Sequence, residues 1–205
     1  MEILSTPARR GLSVGLALVL AGALSACGDD DDGDDRSTSA STTSTPPASS
    51  APSTSGDDCA FGGGTEQVSR PAEADFSLLT EVRSARQPCF DRVVLEFRDA
   101  GSPGYQVGYQ PGPIVQDGSG DPVAVEGAAY LVLRVEPASG FDSGTGTTTY
   151  DGPGRVAPAG TAHVREVVRT GDFEGVLTWV VGLDEQRPFT VDTLAGPTRL
   201  VVDIG

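Results

Sequence analysis

Phe76, Leu78, Thr80 and Val82 alternate with Ser77, Leu79, Glu81 and Arg83, a period of two that predicts a strand. The same period returns over residues 91–98, where Val93, Leu95 and Phe97 share one face and Arg92, Val94 and Glu96 the other. Runs of strand composition follow at 105–109, 129–135, 164–169, 176–183, 189–194 and 199–204, separated by clusters of Gly, Pro, Asp and Ser. Residues 170–175, Thr-Gly-Asp-Phe-Glu-Gly, read as a hairpin connection between two of them. Nothing after Cys27 shows a capped run with a period of 3.6. The pattern predicts an all-β domain, and a β-sandwich or open barrel is the usual way for so many short strands to bury one face each.

Two of these strands echo each other. Residues 92–97 and 199–204 both read Arg, apolar, Val, apolar, acid, apolar. Within each strand the Arg and the acid share the outward face but lie about 13 Å apart, too far to pair directly. Arg92 and Arg199 therefore meet either an acid on a neighbouring strand or a ligand. An internal duplication and a chance match both account for the echo.

The chain before Cys59 has a different character. Arg9 and Arg10 precede an apolar run over residues 11–24, and Leu24-Ser25-Ala26-Cys27 closes it. Two cations, a short apolar core and small residues describe an export signal, and the run falls short of the ~20 residues of a comfortable span. A cysteine directly after Ala26 resembles a bacterial lipoprotein lipobox. That resemblance implies cleavage before Cys27, a thioether-linked diacylglycerol with palmitate-type chains on it, and a signal peptide over residues 1–26. Gly11-Leu12-Ser13-Val14-Gly15 matches a nucleophile-elbow string, but it lies in this leader and would be cut away. Residues 27–58 read as a tether: the lipidated Cys27, an acidic stretch at 28–35, then a Ser/Thr/Pro/Ala tract with no large apolar residue. Such a tract cannot offset the entropy lost on ordering. As a coil, 31 residues reach about 30 Å, and stretched towards polyproline II about 95 Å. The Asp run lacks the spaced ligands and bidentate Glu of a calcium loop and reads as a solvated spacer. The domain itself is expected over 59–205.

Charge narrows the partners. The chain carries −15 overall, and all 14 basic residues are Arg. From Cys59 onward 20 acidic residues face 11 arginines, a net charge of −9, which argues against nucleic acid. With Cys27 assigned to lipid, Cys59 and Cys89 remain; outside the cytoplasm they form a disulfide most simply, with two free thiols as the other reading. No metal or other cofactor is expected, because two cysteines and the single His163 make an incomplete zinc shell.

The ending Gly196-Pro197-Thr198-Arg199-Leu200-Val201-Val202-Asp203-Ile204 is similar to the closing strand of the AMIN domain. Residues 89–97, Tyr150-Asp151-Gly152-Pro153 and residues 171–179 together resemble the AMIN-like domain of actinobacterial lipoproteins, a resemblance running from about Asp75 to Gly205. It implies a sandwich of two related sheets that binds peptidoglycan in the cell envelope.

No catalytic residue is expected. His163 has no nucleophile motif to partner it and reads as structural or surface. Asp117-Gly118-Ser119-Gly120-Asp121 reads as a turn. Trp179, on a face with Leu177, Val181 and Leu183, reads as core. Residues 140–155, rich in Gly and Thr, form either a flexible connection or the lining of a glycan groove with Tyr150 and Arg155. The reading is a non-enzymatic lipoprotein on the extracytoplasmic face of the cell membrane, whose domain binds an envelope ligand, peptidoglycan foremost. Arg92, Arg199, Tyr150 and Arg155 are the candidate ligand-binding residues. A protein-interaction scaffold is the alternative, and a carboxylate-dependent hydrolase stands last.

Overall fold

The computed structural model describes residues 59–74, 76–98 and 101–205. The leader (1–26), the lipidation site Cys27 and the tether to residue 58 lie outside the described residues. Among the described residues there is no helix. The strands are, in chain order, β1 (Val68–Arg70), β2 (Ser77–Arg86), β3 (Asp91–Phe97), β4 (Gly104–Tyr109), β5 (Ala129–Glu136), β6 (Ala138–Ser139), β7 (Phe141–Asp142), β8 (Thr147–Thr148), β9 (Arg155–Val156), β10 (Val164–Phe173), β11 (Val176–Leu183), β12 (Phe189–Leu194) and β13 (Thr198–Ile204). A five-stranded sheet runs β12-β13-β3-β2-β6, a six-stranded sheet runs β1-β4-β5-β11-β10-β9, and β7-β8 form a small hairpin. The two large sheets stack as a sandwich, the fold class that the alternating pattern predicts.

The core is the set of inward positions of both sheets. Val93, Leu95 and Phe97 of β3 and Leu200, Val202 and Ile204 of β13 are fully buried, and they join Leu131, Leu133, Leu177 and Trp179 from the other sheet in one cluster. Strict alternation fails in β2. A bulge between Leu79 and Glu81 adds one residue, so Leu79 and Val82 both point inward, whereas an unbroken period would set Leu79 on the side of Arg83. Thr80, the extra residue, donates its hydroxyl to the Glu96 carbonyl at 3.1 Å. A bulge of this kind bends a strand and re-aims its side chains. The hairpin expected over 170–175 is tighter than its composition suggested. β10 runs to Phe173, and the turn is Glu174-Gly175 with φ of 51° and 77°. Two consecutive positive φ angles give the turn whose twist matches the flanking strands.

Asp91, the first residue of β3, is fully buried. Its carboxylate accepts from the backbone N–H groups of Ala162 (3.1 Å), His163 (2.6 Å) and Val164 (2.9 Å) and from Arg86 Nη1 (3.2 Å). One side chain thus fastens β3 of the smaller sheet to the start of β10 in the larger one. Burial pushes its pKa up, but the three backbone donors and Arg86 outweigh that and hold it below the usual carboxylate value. Asp184 is a second clamped carboxylate: Arg187 chelates it at 3.0 and 3.1 Å, and His163 Nδ1 lies 3.2 Å away. Burial raises this carboxyl too, yet the bonds from Arg187 and His163 take it down to about 2. Groups whose pKa is lowered by folding add stability that is complete above the unfolded value near 4 and is lost as pH falls towards 2. The melting temperature is therefore expected to hold between pH 7 and 5 and to drop steeply below about pH 4. Asp184→Asn should flatten that acid limb, its own share being at most about 2 kcal/mol.

Cys59 and Cys89 are joined by a disulfide, with Cα atoms 5.2 Å apart and a sequence separation of 30. Beside it Phe61 packs on Phe90, ring centroids 5.9 Å apart, and Gly64 exchanges two backbone hydrogen bonds with Phe189. Closing a loop of this size stabilises by about 3.5 kcal/mol in the chain-entropy model. Reduction is expected to lower the melting temperature accordingly, and thiol labelling of the native, unreduced protein should find neither cysteine.

Candidate functional site

β3 and β13 are neighbours and antiparallel, with Arg92 opposite Asp203, Val94 opposite Val201 and Glu96 opposite Arg199. The echo between these strands gains its meaning from this register. Two identical Arg-x-Val-x-acid patterns laid antiparallel place each Arg across from the other strand's acid, where cross-strand pairs interact.

The two ends of this ladder are not equivalent. Arg92 is chelated by Asp203 through Nε (2.6 Å) and Nη2 (2.7 Å), and its guanidinium also lies 5.3 Å from the centre of the Phe90 ring. The Asp203 hydrogen bonds raise its pKa further above the ordinary arginine value. At the other end Glu96 is taken by Arg83 of β2, at 3.1 Å, and Arg83 also holds Glu81 at 2.6 Å. Arg199 is left over. Its Nε donates to the Pro197 carbonyl at 3.2 Å, and among the described residues it forms no ion pair.

Between the arginines lies a shallow groove of about 160 Å³. Val94 and Val201, 6% and 3% exposed, make an apolar floor, and Leu194, 42% exposed, forms a wall. Arg83, Arg92 and Arg199 line it, and no described carboxylate does. Arg83 and Arg92 are spent on Glu81, Glu96 and Asp203, so on this partly apolar surface Arg199 is the guanidinium without an ion pair among the described residues. The groove suits a small carboxylate with an aliphatic body, because a guanidinium binds a carboxylate through paired, charge-assisted hydrogen bonds.

The structure brings Arg92 and Arg199 together but places Tyr150 and Arg155 elsewhere. Tyr150 is only 5% exposed. Its ring stands perpendicular to Trp179, 5.6 Å away, Arg169 lies 5.7 Å from its centre, and its hydroxyl donates to the Pro153 carbonyl at 2.8 Å. It plugs the core and offers no open ring face for a sugar. Arg155, in β9 at the edge of the larger sheet, binds Glu166 and the Ala124 carbonyl, both at 2.7 Å, and so ties a loop down. Sequence reasoning missed Arg83 as a member of the groove; its outward place in β2 is legible, but its neighbour is not. Asp117 lies in the turn expected of it, and its carboxylate accepts the Thr178 hydroxyl at 2.6 Å.

The model of the AMIN-like domain matches residues 77–205, the whole stretch from β2 to the last residue. The chain belongs to the AMIN-like domain family. No curated protein and no solved structure matches it. AMIN-like domains generally bind peptidoglycan or serve in the envelope. The match begins after Cys59, Gly64 and β1; the disulfide ties Cys59, outside the matched stretch, to Cys89 within it, and β1 pairs with β4.

Proposed function

We propose that this protein is a lipid-anchored extracytoplasmic lipoprotein, tethered through Cys27, whose AMIN-like domain binds peptidoglycan at the arginine groove. The observation that carries the reading is Arg199, a guanidinium without a protein carboxylate among the described residues, beside an apolar floor. Peptide stems of peptidoglycan present carboxylates on small aliphatic residues, the chemistry that this groove accepts. Net negative charge works against nonspecific attraction to anionic wall polymer, so binding rests on local geometry.

The two arginines separate binding from stability. Arg199→Gln should weaken binding to purified peptidoglycan about tenfold or more, the loss of one charge-assisted pair, with the melting temperature unchanged. Arg92→Gln leaves Asp203, 8% exposed, without its partner. It should lower stability by about 1–2 kcal/mol, discounted because Arg92 is itself partly exposed. If Arg199→Gln lowers the melting temperature and leaves binding intact, the groove is structural and the reading fails.

A protein-interaction scaffold is the second reading. Phe76, Phe141 and Phe173 are 41%, 46% and 58% exposed and lie around the β10–β11 turn. A Cβ on Gly175 would meet Phe76 at 3.4 Å, and Gly140, next to Phe141, donates its N–H to Asp172 at 3.0 Å.

A further inference from the structure

We infer that the outer face of the six-stranded sheet carries a second, separate binding site, for an uncharged polyhydroxylated chain, an oligosaccharide. Register places Gln106 of β4, Arg134 of β5 and Thr178 of β11 side by side across three strands, with Gln67 just before β1. They line a groove of about 320 Å³, larger than the arginine groove on the opposite side of the sandwich. At strand spacings of about 4.8 Å it spans roughly 14 Å from Gln67 to Thr178.

The lining has the hydrogen-bonding character that hydroxyls need. Gln67 and Gln106 are exposed, and among the described residues neither amide has a hydrogen-bond partner. Each therefore offers a donor and an acceptor in one plane. Asp117 is held in place: its N–H donates to the Thr170 carbonyl at 2.8 Å and one carboxylate oxygen accepts from Thr178, leaving the other open. Any side chain at Gly171 would collide with that carboxylate, so the glycine makes room for it. Arg134 spends one nitrogen on Glu136 at 3.2 Å and keeps its other donors. Arg134 is already paired with Glu136 and Asp117 meets only a hydroxyl, so among the described residues the groove has no free guanidinium to clamp an anion and offers mainly uncharged donors and acceptors. Its floor includes Gly108, where a Cβ would come within 3.0 Å of the Gln67 side chain. This site asks for hydroxyl groups, whereas the arginine groove asks for a carboxylate.

Titration of the full chain with chitotetraose and with cellotetraose, read by calorimetry, tests the inference and distinguishes an N-acetylated from a plain hexose chain. Saturable binding of either is expected. Gln106→Ala, at an exposed position, should weaken it about three- to tenfold, the worth of one or two hydrogen bonds. Gly108→Val should abolish it by filling the floor, with circular dichroism reporting an intact fold. Absence of binding by both oligosaccharides overturns the site, as does binding that survives both substitutions. Either result leaves the carboxylate reading of Arg199 standing, because that ligand is charged and binds the other sheet.

Discussion

Trp179→Ala is expected to cost about 3–5 kcal/mol, the range for large aromatic truncations in a core, and to lower the melting temperature by roughly 10 °C or more. The side chain is fully buried in the centre of β11, between β5 and β10, and it is the largest in the core. Its loss also removes the perpendicular partner of Tyr150, whose ring would then face a cavity. Packing, not hydrogen bonding, sets the cost: the indole nitrogen is buried with no hydrogen-bond partner among the described residues. Trp179→Phe should therefore retain most of the stability, losing about 1–2 kcal/mol. Thermal unfolding of both variants checks this. A Phe variant as unstable as the Ala variant would mean that the nitrogen matters after all.

Asp91→Ala should be equally severe, about 3–5 kcal/mol, for a different reason. The substitution removes one buried carboxylate and leaves the N–H groups of residues 162–164 and Arg86 without their acceptor. Orphaning buried donors costs more than the bonds were worth. Asp91→Asn keeps one acceptor oxygen and should recover part of the loss. The unfolding profile of Asp91→Ala should also lose some of its acid sensitivity, since the carboxyl with the lowered pKa is gone. If Asp91→Ala melts with the unsubstituted protein, the fastening between the two sheets is not where the structure places it.

Much of the fold was legible because half-buried strands write their faces into the sequence at period two. Residues 91–98 and 199–204 are the clearest cases. The bulge at Thr80 was not, since an added residue leaves composition unchanged and shifts only the phase of the strand beyond it. The Cys59–Cys89 bond was the simplest reading of the two cysteines left once Cys27 was set aside, but counting alone left two free thiols open, and the 5.2 Å Cα separation decides it. The site was legible only in part. Arg92 and Arg199 stood out, but which one is satisfied depends on β3 and β13 being neighbours and on Arg83 reaching Glu96 from β2. Tyr150 looked like a loop aromatic, and only its packing on Trp179 shows it to be core. Gln67, Gln106, Arg134 and Thr178 come from separate parts of the chain and carry no motif. Asp91 binds backbone donors more than seventy residues away, and backbone donors leave no trace in side-chain identity.

Cosedimentation of the full chain, held in mild detergent, with purified peptidoglycan sacculi bears most directly on the proposed function. The protein is expected in the pellet and, with excess chitotetraose present to occupy the glycan groove, to be displaced by a soluble stem peptide with free carboxylates and not by the same peptide with its carboxylates amidated. Protein that stays in the supernatant, or that both peptides displace equally, would contradict binding at the arginine groove.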